Sequence, residues 1–351
     1  MSSMSEVTGA GPVSDLLDGM FGAGPDWLAA LLDVEAALAR AAAAVGRIPP
    51  GSARLIAEHC RPERFDLAAV ASRAARHATP VVPLVEDLRA RLPPEVADVV
   101  HKPATSQDVI DSGLMLVAAR TVDGMSADLD ECASALARLI AEHGDTPQAG
   151  RTLLARALPT TFGRLAGTWL NGLTEAGTEL DRARESLAVQ LGGPVGALDD
   201  PELVAAFAAE LGLAVPAACW HTNRIRIARL AAALGMVTGA LGKIAGDVVL
   251  LAQPEIGELT EGSPGGSSAM PDKRNSARSV QILACAHRAP GLVSTVFAGL
   301  PQELQRAAGR WQAEWRTVGD LLALAAAAAR HGRILLAELK VDTARMRDAL
   351  S

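Results

Sequence analysis

Three polar segments interrupt an otherwise Ala-rich, apolar sequence, and each carries side chains suited to holding an anion. The fullest is Glu261–Asn275, EGSPGGSSAMPDKRN. Gly262, Gly265 and Gly266 let backbone N–H groups come close to a ligand. Ser267 and Ser268 add hydroxyls, Lys273 and Arg274 add positive charge, and Asn275 stands where the next helix begins. Unsatisfied N–H groups at a helix start, beside Lys and Ser, suit a carboxylate. A solvated linker ending in an Asn cap has a similar composition, but Lys273 is one of only four lysines, the others being Lys102, Lys243 and Lys340. The second segment, HKPATSQD from His101 to Asp108, precedes a long helical run. Capping accounts for Ser or Thr followed by an acid. It does not account for Thr105, Ser106 and Gln107 together. The third, GRTLLARALPTTFG from Gly150 to Gly163, holds Arg151 and Thr152, with Thr160 and Thr161 as candidate caps.

The elements that must position these segments are helical. From Pro25, DWLAALLDVEAALARAAAAVG repeats apolar residues at helical spacing and stops at Gly46, before Pro49–Pro50. Shorter helices are expected at about 52–60, 66–76 and 81–91. Long runs then cover Ser106 to about His143, Thr160 to Val189, Pro216 to Pro254, 276–298 and 312–338. The third of these would reach roughly 55 Å if continuous. Strict heptads are not evident, so the pattern reads as an all-α bundle of long helices rather than a two-stranded coiled coil. No segment reads as a strand, although a short hairpin within a loop would escape notice. The division follows: a helical N-terminal domain over 1–104 and a long-helix domain over 105–351 that carries the loop 261–275. Broad apolar stripes on helices this long point to a homo-oligomer.

Composition agrees and excludes several classes. The 351 residues include 69 Ala, no Tyr, five Trp and five Phe, a mix that suits close helix packing better than sheets. A net charge of −7 without a basic block argues against nucleic acid as a partner. The N-terminal MSSMSEVTGAGP lacks the basic and apolar regions of a secretory signal. No stretch of about 18 uninterrupted apolar residues marks a membrane span, so a cytoplasmic protein is expected. The four Cys (60, 132, 219, 285) contain no C-x-x-C pair and read as buried free thiols, Cys132, Cys219 and Cys285 within helical patterns. No metal site is expected. His221 and His287 also fall in helical patterns and read as structural, leaving His101 as the histidine placed for function.

Taken together the three segments are specific. GSSAMPDKRN (266–275) resembles the fumarase/aspartase superfamily signature G-S-S-x-M-P-x-K-x-N at every fixed position. HKPATSQDVIDSGLML (101–116) and GRTLLARALPTTFG (150–163) resemble its first and second shared regions. ATSQDVID, VEAALARA-x-A-x-x-G-x-IP (34–49), LGKIAGDVVLLAQPEIGE (241–258) and PQELQRAAGRWQAEW (301–315) are similar to the 3-carboxy-cis,cis-muconate cycloisomerase branch. The resemblance runs from about Val34 to the C-terminus. It implies a helical homotetramer with a central bundle, each active site drawing its three regions from three chains. It also implies a short form or a truncated one, because the further C-terminal domain of many members would begin near VDTARMRDALS.

The chemistry implied is reversible addition or elimination beside a carboxylate, through an aci-carboxylate, without cofactor or metal. Ser267 would be the proton carrier. Ser268, Met270, Lys273, Asn275, His101, Thr105, Ser106, Gln107, Arg151, Thr152 and Arg306 would surround a di- or tricarboxylate. Members that protonate a leaving group carry Thr-His in the second region. Here Thr152 is followed by Leu153, which fits a cycloisomerase, whose leaving group is its own carboxylate, or a lyase expelling an amine or nitrite from a substituted succinate. Pro103, Ala155, Asp272, Ser276 and Leu304 depart from the branch pattern. Asp272 would oppose an anion near Lys273. A non-catalytic oligomeric relative is the reading from another class.

Overall fold

The computed structural model describes residues 26–350, so the N-terminal segment weighed above as a possible leader lies outside the described residues. Twelve α-helices are present among them. They are α1 Asp26–Ala44, α2 Pro50–His59, α3 Leu67–His77, α4 Val81–Arg89, α5 Pro94–Ala97, α6 Ser106–His143, α7 Phe162–Glu185, α8 Pro201–Leu211, α9 Ile225–Leu251, α10 Ala277–Ala298, α11 Arg310–Glu338 and α12 Thr343–Asp348. The long-helix all-α expectation therefore holds. Contacts divide the chain into two compact units. The first combines residues up to 119 with 186–226 and 298–319; the second combines 120–185, 227–297 and 320 onward.

In the first unit, α1 packs on α2 and α8, burying Leu31, Leu32, Val34, Leu38 and Ala41. Asp66 caps α3 by accepting from Ala69 N (3.1 Å), and Asp200 caps α8 by accepting from Leu203 N (3.2 Å). Such caps each contribute about 1 kcal/mol. In the second unit, helices approach closely through small residues. A Cβ on Gly332 of α11 would lie 2.7 Å from Leu241 Cδ2 of α9, and one on Gly242 would lie 2.7 Å from the Ala286 Cβ of α10. The Ala-rich composition thus serves close packing.

Three sequence expectations change. The heptads that seemed absent are there. Along α9 the large buried side chains Ile227, Leu230, Leu234, Val237, Leu241, Ile244 and Val248 are spaced by three and four, with Ala228, Ala231, Ala233, Thr238, Ala245 and Leu251 buried beside them. Along α6, Met115, Ala118, Val122, Met125, Leu129, Cys132, Leu136 and Leu139 repeat the same step, the seam expected of long helices side by side. Ala118 and Cys132 weaken the pattern in α6, and in α9 buried Ala228, Ala231, Ala233 and Ala245 off the seam blur it. By length and composition α9 could also cross a bilayer, but this seam turns its largest apolar side chains inward.

The run expected from Pro216 begins as a helix only at Ile225. Trp220 N donates to Gln190 Oε1 (3.1 Å) and Trp220 Nε1 to Val189 O (2.8 Å), holding 219–221 out of helical geometry. Cys219 and His221 are therefore loop residues. Finally, the third polar segment is a hairpin: β1 Pro147–Thr152 pairs antiparallel with β2 Ala155–Thr161. A second, minimal pairing joins β3 Leu259–Thr260 to β4 Lys340–Val341.

Candidate active site

The residues expected to do chemistry fall into clusters in both units, and each cluster is built by its own local structure. In the first unit the N-terminus of α6 is organised by one carboxylate. Asp108 is buried; its Oδ2 accepts from Thr105 N (2.9 Å), which reproduces the back-bonding half of a capping box. It also accepts from Gly192 N and Gly193 N, both at 2.9 Å, and from His221 Nε2 at 2.7 Å. Burial opposes charge on His221, but the bond to Asp108 and the adjacent Cys219 outweigh it, and its pKa is pushed up to about 9. Asp108 and His221 therefore form a fixed ion pair beneath the helix start.

Four expected site residues belong to the same region. Thr105 Oγ1 accepts from Arg306 Nη2 (2.8 Å), and the same nitrogen reaches Pro194 O (3.3 Å). Thr105 and Arg306, 201 residues apart in sequence, are thus in direct contact. Ser106 opens α6 and is partly accessible. His101, just upstream, donates from Nδ1 to Glu35 Oε1 at 2.6 Å.

Gln107 behaves differently from the expectation. It is fully buried, and its Nε2 donates to His221 O (2.8 Å) and Asp111 Oδ2 (3.2 Å). Its amide ties α6 to the 220 loop, inside a larger buried network. There Arg224 is bonded to Asp111 (2.8 and 2.9 Å) and to Glu314 (2.7 Å), with Trp311 Nε1 on Asp111 (3.1 Å) and Gln302 Nε2 on Glu314 (2.7 Å). Burial raises the Glu314 carboxyl and the neighbouring Arg224 pulls it back only in part.

In the second unit, the signature loop closes on itself. Gly265 N donates to Asn275 O (2.8 Å) and Asn275 N to Gly265 O (2.9 Å), an isolated antiparallel bridge across the loop neck. A Cβ on Gly265 would sit 2.8 Å from the Ala277 Cβ, so only glycine closes the neck. Asn275 Nδ2 donates to Gly266 O (2.9 Å), so this expected substrate ligand also braces the neck. Buried Glu261 accepts from Arg278 N (3.2 Å), Ser279 N (2.9 Å) and Ser279 Oγ (2.7 Å), capping α10 directly behind the loop.

Within the loop, Ser267 Oγ accepts from Ala269 N (3.3 Å) and Met270 N (3.1 Å). Two N–H donors on one hydroxyl oxygen are what an alkoxide needs. Met270 and Lys273 are exposed, and the hydroxyl of Ser268 is available at the same rim. The loop is therefore a built turn rather than a slack linker.

The hairpin supplies the last pair. Thr152 is opposite Ala155, so Leu153 and Leu154 form a two-residue tip with φ of 50° and 65°. Such tips call for Asn-Gly because both residues must be left-handed; here two leucines hold it, at 101% and 74% exposure. A bulge falls at Gly150, where a Cβ would meet Leu158 O at 2.6 Å. Thr152 lines a cavity of about 890 Å³ with Leu154, Leu158, Lys243 and Ile256.

Arg151 does not keep its guanidinium for a ligand. It meets buried Glu258 through Nη2–Oε1 (2.5 Å) and Nη1–Oε2 (3.2 Å), with Gln148 Nε2 on the same carboxylate (2.8 Å). Glu258 ends the stretch LGKIAGDVVLLAQPEIGE and Glu35 lies in VEAALARA, and nothing in the spacing of either stretch sets the acid apart.

This fold and these clusters define an all-helical lyase scaffold. Residues 25–291 match the model of a protein family described as "Lyase", and the chain belongs to that family, within the fumarase/aspartase superfamily. It is 43% identical to the 3-carboxy-cis,cis-muconate cycloisomerase of Pseudomonas aeruginosa, over 98% of this chain and 78% of that protein. It is 42% identical to the nitrosuccinate lyase of Streptomyces davaonensis, over 92% of this chain and 72% of that protein. The crystal structure of the 3-carboxy-cis,cis-muconate lactonizing enzyme of Pseudomonas putida superposes with a TM-score of 0.87 at 38% identity, covering 95% of this chain and 79% of that one.

Proposed function

We propose that the chain is a cofactor-independent cycloisomerase that closes 3-carboxy-cis,cis-muconate to γ-carboxymuconolactone. The observation that carries the reading is the Ser267 hydroxyl held on two backbone N–H groups, in a loop that also presents Lys273. In the lactonising direction a substrate carboxylate oxygen attacks the conjugated diene and a C–O bond forms. The displaced π electrons move onto the adjoining carboxylate as an aci-carboxylate, and the proton of Ser267 Oγ passes to the neighbouring carbon. The alkoxide left behind is stabilised by Ala269 N–H, Met270 N–H and the Lys273 charge. Thr105, Ser106, Arg306 and His101, with Thr152, Ser268, Met270 and Asn275, hold the carboxylates. Arg151 and Gln107 support this set from behind.

The same reading includes a homotetramer whose sites combine regions of three chains, a cytoplasmic location, and a division into a helical N-terminal domain over 1–104 and a long-helix bundle domain over 105–351. Leu153 and the equal likeness to a nitrosuccinate lyase support a second reading, elimination of nitrite to give fumarate. Both need no proton donor at the position of Leu153. One ultraviolet assay decides. Loss of diene absorbance with 3-carboxy-cis,cis-muconate is expected; a rise of fumarate absorbance with nitrosuccinate alone overturns the reading in favour of the lyase. Silence with both overturns catalysis itself.

A further inference from the structure

We propose that Glu35, on α1, is the positioning residue that fixes the His101 ring and keeps it cationic, so that His101 Nε2–H binds a substrate carboxylate beside Thr105 and Arg306. The inference rests on the reading of His101 as ligand-facing. It begins from costs that packing does not explain. Glu35 lies in the apolar stripe of α1 between Leu31, Val34 and Leu38, and is 1% exposed. A carboxylate there carries a desolvation penalty of several kcal/mol unless paired, whereas Leu or Ala would complete the stripe without one. Its Oε1 accepts a hydrogen bond from His101 Nδ1–H at 2.6 Å, while Oε2 is buried with no hydrogen-bond partner.

His101 is itself strained. Its φ is +68°, a left-handed value unfavourable for a non-glycine residue. The preceding residue is pinned as well, since Arg89 Nη2 donates to Val100 O at 2.9 Å. A buried charge, an orphaned oxygen and a left-handed backbone converge on one ring. Strain of that kind persists where the surroundings over-determine it, and it points to function.

The consequence for the ring is specific. With Nδ1 engaged by a carboxylate, Nε2 is the ring nitrogen left without a protein partner. Burial opposes a charged His101, but Glu35 outweighs it and the pKa is raised. Arg89 works against the charge and Asp108 for it. The cation lies four residues before Thr105, whose hydroxyl holds Arg306. A substrate with several carboxylates would thus meet a second cation at the α6 end of the site, one whose charge depends on a residue far away in sequence.

The test compares Glu35→Gln, His101→Gln and the double variant. Gln keeps an acceptor for Nδ1 and removes the charge. For Glu35→Gln we expect kcat/KM to fall severalfold near neutral pH, mostly through KM, with the deficit closing as pH falls below the ordinary histidine range, where the ring protonates unaided. The NMR titration midpoint of the His101 ring should drop by about one pH unit or more, a readout that needs no turnover. The double variant should be no worse than His101→Gln, and Glu35→Asp should restore the high midpoint even if Glu35→Gln fails to fold. An unchanged His101 midpoint in the charge-free variant, or a parental pH profile beside a damaged His101→Gln, overturns the role of Glu35. A parental His101→Gln overturns instead the placing of His101 in the site.

Discussion

The polar cluster beneath the start of α6 and the loop in front of α10 hold similar residue types and treat them in opposite ways. Under α6, Asp108, His221, Asp111, Arg224 and Glu314 are buried and bonded to one another. In the loop, the backbone is pinned by Gly265 and Asn275 while Ser267, Met270 and Lys273 face outward. One region has its charges neutralised by protein; the other has its backbone satisfied and its side chains left for something else. Motif residues alone do not tell these apart. The partner each side chain already has does.

The comparison breaks first at Arg224. Arg224→Met leaves Asp111 and Glu314 facing each other without a cation, and the fold should lose about 3–5 kcal/mol in denaturant titration; a loss below about 1 kcal/mol would mean that the network is not what holds the 220 loop. Ser267→Ala is the mirror experiment. Turnover should fall roughly 10²-fold or more with melting unchanged, and parental turnover would remove Ser267 from the mechanism. A smaller effect is expected from pH. Because His221 titrates near 9 in the folded protein, above its ordinary value, its contribution is complete below about pH 6.5 and is lost as pH rises through about 9. The melting temperature should therefore decline between pH 7.5 and 10, and His221→Gln should flatten that decline. An identical slope in the variant would place the effect elsewhere. Smallest of all, replacing Leu153-Leu154 by Asn-Gly should relieve the left-handed strain and stabilise the protein by about 1 kcal/mol while lowering kcat/KM. A stabilised variant with full activity would assign the tip to the scaffold side of the divide.

Helix positions were readable because apolar spacing and Pro or Gly stops determine them locally. Ser106–His143 and 276–298 lie within a residue of the observed α6 and α10. The seam was not readable, because Ala118 and Cys132 occupy it in α6 and apolar Ala residues flank it throughout α9, so the spacing does not stand out. The hairpin was missed for a related reason: its strands lack alternation and its tip lacks Asn-Gly. Among the expected site residues, Ser267 is partly accessible on two backbone N–H groups, and Thr105 meets the exposed Arg306. Gln107 and Arg151 carry equally suitable groups that long-range partners, His221 and Glu258, have already taken. No spacing rule foresees a partner 107 or 114 residues away.

The two-residue hairpin tip also bears on how such a chain can change over generations. Pairing of Thr152 with Ala155 leaves room for two residues and no more. Adding one would shift the register, and in a strand a one-residue slip sends every side chain to the opposite face. Thr152 and Arg151 would then exchange their surroundings, and the clasp on Glu258 would open. Substitution at Leu153 and Leu154 leaves that register intact. Variation at the tip can therefore proceed by exchanging the identity of two side chains, while the length of the loop stays fixed.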